Sequence, residues 1–283
     1  MNPNDSRPFL GLITALESET RALCGNVRTT VQGHFLRAET HCAQGRVVCL
    51  QCGPGPERAL AAGRELATQG AGVLLCAGVA SGIDPETRCG ELLLGNTVCL
   101  LHENLPLAVP NDAPSSVETA LRLLAEAKMP ARSRPLLTTA NPLLDAEERR
   151  HWFETTGAAA VDTESAGVAL AAMEAKLPFL AVRAVSDSVS QPVSKEMIAA
   201  CDNGAIGSAF GLIRTILQRP SLFGEFWRAG REYARALDAL KKARKALFQA
   251  CFESLETERM ETPDKDADTP EEQNGNQVGN PIQ

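Results

Sequence analysis

The chain has 283 residues, enough for one large domain with a substantial core. Its apolar share, 44%, is ordinary for a globular protein, and no stretch approaches the roughly 18 to 20 consecutive apolar residues of a membrane span. The formal net charge of −7 comes mostly from the residues after Leu255, so the remainder is nearly neutral and carries no mark of a nucleic-acid surface.

Met1 to Pro8 is polar and lacks the charged-then-apolar order of a signal peptide, so a cytoplasmic protein is expected. Pro8 to Leu16 (PFLGLITAL) reads as a buried strand. His34 to Thr40 and Arg46 to Gln51 read as a strand pair turned at Gln44-Gly45. A helical pattern over Glu57 to Gln69 precedes a buried strand over Val73 to Ala80. Glu91 to Leu101 is a further strand, and Ser116 to Ala127 a helix. Pro135 to Thr139, Ala158 to Asp162 and Phe179 to Ser186 are strand-like, with helices between and after them. Apolar strands separated by helices argue for an α/β fold: a three-layer αβα sandwich with a central mixed sheet.

Beyond Pro220 the character changes. Leu222 to Leu255 is helical in propensity, and Phe226, Gly230, Tyr233, Leu237, Leu240, Leu247 and Cys251 recur at a spacing near three and four, interrupted by Arg244. Arg228, Arg231, Arg235, Lys241, Lys242 and Lys245 form a basic set around that stripe. A helix docked on the domain, an oligomerisation helix and a basic helix at a membrane surface are the three readings, with packing on protein favoured. The boundaries expected are a catalytic domain over 1–219, a basic amphipathic extension over 220–256 and an acidic disordered tail over 257–283.

Nine scattered cysteines suggest reduced, mostly buried thiols. Cys49 and Cys52 form a CxxC, but no second CxxC or nearby His completes a zinc set, so a structural role is the expectation. No metal and no redox cofactor are expected.

Four segments carry candidate chemistry. LITALESET (12–20) runs a strand into paired carboxylates. QCGPGPERA (51–59) is a Gly-rich turn opening a helix, and CAGVASGIDPETRCG (76–90) another such turn at a strand end. AVDTESA (160–166) and VRAVSDSVSQ (182–191) complete the set. Singly, each carboxylate reads as a helix N-terminal acid or cap and each glycine as a tight bend. Together they stand at the ends of buried strands, where α/β proteins assemble sites.

In these segments the chain resembles the nucleoside phosphorylase superfamily, which includes the methylthioadenosine/S-adenosylhomocysteine nucleosidases. TALESE, CGPG, GVASG, DTESA and RAVSD stand where the nucleosidases have G-A-M-E-x-E, S-G-I-G, G-S-A-G-G, E-M-E-A and R-A-I-S-D, in the same order with similar gaps. The resemblance spans residues 9 to 217 and implies cleavage of the bond between a purine and C1′ of a ribose.

It further implies that Glu164 holds the ribose hydroxyls and that Asp187 protonates, or shares a proton with, N7 of the departing purine as general acid. That role requires burial or a hydrogen bond that keeps a proton on the Asp187 carboxyl. Glu19 matches the acid beside the nucleophile, and Arg183 the arginine that orients the cluster. Gly78, Val79, Ala80 and Thr163 fall in the substrate-binding positions. Val79 replaces a serine of the nucleosidase pattern, Ser81 a glycine and Thr163 a methionine.

These departures, with the GPGPERALAAGRELATQGAGVLLCAGVASGIDP run, AVDTESAGVA and the C-terminal extension, make the chain more similar to the hopanoid-associated phosphorylases. Those remove adenine from adenosylhopane, a lipid-borne substrate that suits a basic C-terminal helix and peripheral contact with a membrane. Gly53, Gly55 and Arg58 are candidate phosphate donors, so inorganic phosphate as co-substrate and plain hydrolysis both stay open. A methylthioadenosine- or futalosine-type nucleosidase and a catalytically silent nucleoside-binding module are the alternatives. A homo-oligomer is expected, since family members usually assemble.

Overall fold

The computed structural model describes residues 8–109, 114–143, 145–189 and 223–261. In chain order these form β1 (Phe9–Thr14), α1 (Glu17–Cys24), β2 (Thr30–Gln32), β3 (Phe35–His41), β4 (Arg46–Gln51), α2 (Pro56–Thr68), β5 (Ala71–Gly82), β6 (Leu92–His102) and β7 (Leu105–Val109). They continue with α3 (Pro114–Glu126), β8 (Ala131–Thr138), α4 (Ala146–Thr156), β9 (Ala160–Asp162), α5 (Ser165–Ala175), β10 (Phe179–Asp187) and α6 (Phe223–Glu261).

The strands make one mixed sheet in the order β10-β6-β8-β9-β5-β1-β4-β3-β2, with β7 beside β6. β10 also pairs with β5, so β5, β10, β6, β8 and β9 close into a ring from which β1 to β4 extend. β5 makes this possible by its length: it runs parallel to β1 over Ala71–Cys76 and then meets β9 at Ser81 and Gly82. The strands β1, β4, β5 and β10 run parallel side by side, so their C-terminal ends gather on one edge.

Helices cover both faces, which is why β1, β5 and β10 read as unbroken apolar runs. Leu10, Leu12, Val73, Leu75, Leu180 and Val182 share one apolar cluster with residues of α1, α3 and α6. Phe9, Ile13, Leu74, Cys76, Phe179 and Ala181 share the other with α2 and α5. Alternate residues of each strand thus feed opposite layers, the period of two that a pleated strand imposes.

The fold is the α/β architecture with a central mixed sheet and a C-terminal helix that the sequence led us to expect. Two short strands, β2 and β7, escaped the sequence reading. Val31 in β2 and Leu105 and Leu107 in β7 are exposed, so neither segment shows the burial pattern that marks a strand.

Helix α6 packs on the domain. Ala236, Leu240, Ala243, Leu247, Phe248, Ala250, Cys251 and Phe252 are buried in the same cluster as β1, β5 and β10. Leu240, Leu247 and Cys251 of the expected stripe lie in that interface, Tyr233 and Leu237 are half-buried, and Gly230 is exposed. All six expected basic residues, Arg228, Arg231, Arg235, Lys241, Lys242 and Lys245, are exposed. The helix also runs past the expected boundary at 256, through Glu261, and Thr257 Oγ1 donates to the Glu253 carbonyl at 3.0 Å. Residues 257–261 therefore continue the helix, and the rest of the acidic tail lies outside the described residues.

The described cysteines are free thiols, and Cys49 and Cys52 are both buried. Cys49 Sγ lies 3.6 Å from Thr14 Oγ1, and Cys52 Sγ donates to the carbonyls of Thr14 and Gly53. Burial, with Glu164 nearby, pushes the Cys52 thiol up to about 12, which suits a packed side chain and not a nucleophile. Among the described residues no group of His, Cys, Asp or Glu is placed to hold a metal, and no helix is long and apolar enough to cross a membrane.

Candidate active site

The end of β1 sets the first carboxylate. The chain leaves β1 at Thr14 and enters α1 at Glu17, so the amides of the first turn lack helical partners. Glu19, in that turn, folds back and its Oε2 accepts from the amides of Ala15 and Leu16, each at 2.9 Å. Its Oε1 accepts from the Val79 amide on β5 at 2.9 Å. Burial raises the Glu19 pKa, against the opposing pull of the Val79 amide, Arg183 and the amides of Leu16 and Ala15. Glu19 is thus a locked carboxylate, while its neighbour Glu17 is exposed and paired with Arg21.

Next to it stands the register pair Gly78 on β5 and Arg183 on β10. A Cβ on Gly78 would lie 2.6 Å from Glu19 Oε1 and 2.7 Å from Arg183 Nη1, so only glycine admits both groups. Val79 contributes its amide, and its half-buried side chain packs toward the α1, α3 and α6 layer. The serine-to-valine departure therefore leaves the contact to Glu19 intact, because the backbone makes it. Ala80 acts through its carbonyl, which accepts from Ser186 Oγ at 3.2 Å.

Arg183 is fully buried and surrounded by acceptors. Its Nε donates to Asp162 Oδ2 at 2.9 Å and to Ser165 Oγ at 3.1 Å, and its Nη2 to Cys76 Sγ at 2.9 Å. Nη1 lies 3.4 Å from Glu164 Oε2. Burial works against the guanidinium charge, but Asp162, Cys76, Glu164 and Glu19 together raise its pKa. An arginine so enclosed is a fixed positive centre around which three carboxylates are arranged.

The third part follows from β9 turning into α5. Asp162 Oδ1 accepts from the amides of Glu164 and Ser165, both at 3.0 Å, and from Thr138 Oγ1 at 2.8 Å. Asp162, two residues before the N-cap position held by Glu164, thus satisfies the amides at the start of α5. Glu164 is left for other work: it is buried, bonded by Thr163 Oγ1 on Oε1, and turned toward Arg183 on Oε2. Burial raises its pKa, with Arg183 opposing and Asp162 reinforcing.

Asp187 closes β10 opposite Ser81, its register partner on β5. Asp187 Oδ1 accepts from Ser81 Oγ and from Ser186 Oγ, each at 2.9 Å. Asp187 Oδ2 accepts from Arg149 Nη1 on α4 at 2.7 Å. Sequence reasoning noted Ser81 only as a replaced glycine and missed Arg149 altogether. An arginine in a helix rich in charge (AEERRHWFETT) looks like a solvated face, and nothing in its spacing points to a strand end 38 residues on.

The phosphate candidates sit apart from this cluster in how they are used. Gly53 has a φ of 76° and donates its amide to the Ala15 carbonyl at 3.1 Å, so that donor is spent on the fold. Gly55, at φ 121°, caps α2, and Pro56 follows without an N–H. Arg58 is exposed, with its guanidinium laid over Gly53: a Cβ there would be 2.8 Å from Nη1. Among the described residues, the donors left at this helix start are the amides of Gly55, Glu57 and Arg58 and the Arg58 guanidinium.

The strand ends thus bring together Glu19, Gly78, Val79, Arg183, Thr163 and Glu164 as one cluster. Asp187 stands four residues beyond Arg183 on the same strand. Residues 10–218 match the family model described as Phosphorylase superfamily. No curated protein sequence matches significantly. Among solved structures, futalosine hydrolase of Helicobacter pylori superposes with a TM-score of 0.62 at 13% identity, covering 89% of this chain and 98% of that one. The 5'-methylthioadenosine/S-adenosyl homocysteine nucleosidase of H. pylori gives 0.62 at 12% identity, covering 90% and 99%. Its namesake from Campylobacter jejuni gives 0.61 at 18% identity, covering 84% and 99%. At these identities the structures establish a shared fold, and with the family model matching most of the length, the chain belongs to the Phosphorylase superfamily and is an enzyme of that family.

Proposed function

We propose that this enzyme cleaves the N-glycosidic bond of a 5′-modified adenosine, adenosylhopane in the first instance, and releases adenine in hopanoid side-chain biosynthesis. The observation that carries the glycosidic reading is the juxtaposition of buried Glu19 and Glu164 around Arg183 with Asp187 at the end of the same strand. In this reading Glu164 accepts from the ribose hydroxyls, a vicinal diol being suited to one carboxylate. Glu19 stands beside the attacking water or phosphate. As the C1′–N9 bond breaks its electron pair goes to the base, N7 takes up a proton drawn from solvent through Asp187, which then accepts from N7–H, and the fixed carboxylates stabilise the oxocarbenium-like ribosyl centre.

Support for a lipid-borne substrate is the exposed basic face of α6, which would rest on an anionic surface while the opposite face packs on the domain. The protein would then be cytoplasmic and peripheral to the membrane, with 1–219 as the catalytic unit and a homo-oligomer as its assembled form. No cofactor enters this scheme. Phosphate as co-substrate would use the start of α2, with Gly55 and Arg58 as donors.

A second reading, action on a soluble methylthioadenosine, S-adenosylhomocysteine or futalosine type of substrate, draws on the names of the structural neighbours. Free adenine measured chromatographically from adenosylhopane in detergent and from methylthioadenosine, each with and without phosphate, separates the two. Release from the lipid alone supports the first reading; release from methylthioadenosine alone supports the second. Binding of adenosines with no base released from any of them would instead mean a silent binding module.

A further inference from the structure

We infer that Arg149 of α4 is a positioning residue for Asp187, so that departure of the base depends on a helix outside the recognised motifs. The inference rests on the glycosidic reading and deepens it. Arg149 is as buried as Arg183, with a side-chain exposure of 1%. Its Nη1 donates to Asp187 Oδ2 at 2.7 Å, and its Nε donates to the Leu143 carbonyl at 2.8 Å. The guanidinium is therefore held at two points, one on the connection between β8 and α4 and one on the end of β10.

A buried guanidinium is tolerated when its charge and its donors are matched, and the Asp187 carboxylate does both here. The same contact settles where Asp187 points. With Ser81 and Ser186 on Oδ1 and Arg149 on Oδ2, three of roughly four acceptor directions of the carboxylate are taken, and the carboxylate plane is fixed. Among the described residues, one direction, on Oδ2, is left for a ligand. Asp187 is only about one-eighth exposed (13%).

The consequence is specific to the leaving group. A purine departs with its electron pair only as fast as N7 takes up the proton that Asp187 conveys to it, whereas nitrophenolate departs unaided. Arg149, acting through Asp187, matters for the first and not for the second. A merely structural arginine would matter equally for both.

The test compares adenine release from methylthioadenosine or adenosylhopane with nitrophenol release from p-nitrophenyl β-D-ribofuranoside. Arg149→Gln is expected to lower kcat for adenine release by about 10 to 100-fold, as loss of a bond to a charged group does, with KM little changed. Nitrophenol release should stay within about twofold of wild type, a margin small against the loss of a charge-assisted bond. Arg149→Lys, which keeps the charge and gives up the fork, should recover part of the adenine rate and serves as the test if the glutamine variant fails to fold. Equal losses on both substrates, or no loss on either, would overturn the assignment of Arg149 alone. A folded wild-type protein inert toward every riboside would overturn the glycosidic reading, and this inference with it.

Discussion

Ser81 Oγ donates to Asp187 Oδ1 at 2.9 Å across the β5–β10 register, so the residue that replaces a glycine of the nucleosidase pattern is a direct partner of the terminal aspartate. Loss of a hydrogen bond to a charged group costs about 1.5–3 kcal/mol. Ser81→Ala should therefore fold normally and cleave a nucleoside substrate about 10 to 100-fold more slowly, measured by steady-state kinetics. An unchanged rate would mean that Ser186 alone suffices to hold Oδ1.

Gly78 is boxed in by Glu19 and Arg183. Neither group is a yielding side-chain tip: Glu19 is held by three amides and Arg183 by Asp162. Gly78→Ala is expected to destabilise the protein by about 1–3 kcal/mol, in the range of overpacked cores, and to abolish most activity. Thermal denaturation together with an activity assay checks both parts.

The raised pKa values of Glu19 and Glu164 predict two pH dependences. In activity, a group that must be ionised and titrates above its usual 4.5 places the acid limb of kcat/KM above that value. In stability the sign is opposite to that of a salt-bridged carboxylate. A folded pKa above the unfolded one means that the folded state binds the proton more tightly. This contribution is fully present below 4.5 and is lost as pH rises through the folded values. The stability of wild type relative to Glu19→Gln/Glu164→Gln should accordingly fall as pH rises above 4.5, measured by urea unfolding at a series of pH values.

Asp162 holds Arg183, the start of α5 and Thr138 at once. Asp162→Asn leaves a buried guanidinium short of its main counter-charge, a change that costs about 3–5 kcal/mol. A drop of that size in unfolding free energy is expected, exceeding the effect of Thr163→Val.

The inner face of α6 is core and its outer face is solvated. Leu247→Ala should cost about 2–5 kcal/mol, the usual range for a buried leucine. Lys242→Ala, exposed and paired with Asp238, should stay within about 0.5 kcal/mol in chemical denaturation. Similar losses for both would mean that the helix is bound from both sides.

Much of the site was legible because its parts are local. A buried strand followed by acids, DTES after AVD and SD after RAV each mark a strand end, and order along the chain pointed to the family. The cluster around Glu19, Arg183 and Glu164 follows once β1 and β10 lie parallel to β5 and β9 meets its end antiparallel. Arg149 was hidden because its partner is distant in sequence and its helix carries five charged residues in eleven, so no pattern separates a buried arginine from an exposed one. The phosphate candidates show the converse: Gly53 fits a donor motif in sequence, but its amide is consumed by Ala15.

The sequence by itself determined the α/β layers, the strand ends that hold Glu19, Glu164, Arg183 and Asp187, and the helical nature of the C-terminal segment. Periodicity and turn residues are local signals, and each of these features is set within a few residues. Only the tertiary structure decided that β10 pairs with β5 to close the sheet, that Val79 serves through its amide, that the Asp162 side chain holds both the start of α5 and Arg183, and that Arg149 meets Asp187. Those depend on which groups long-range pairing brings within about 3 Å, where a buried charge must find its partner.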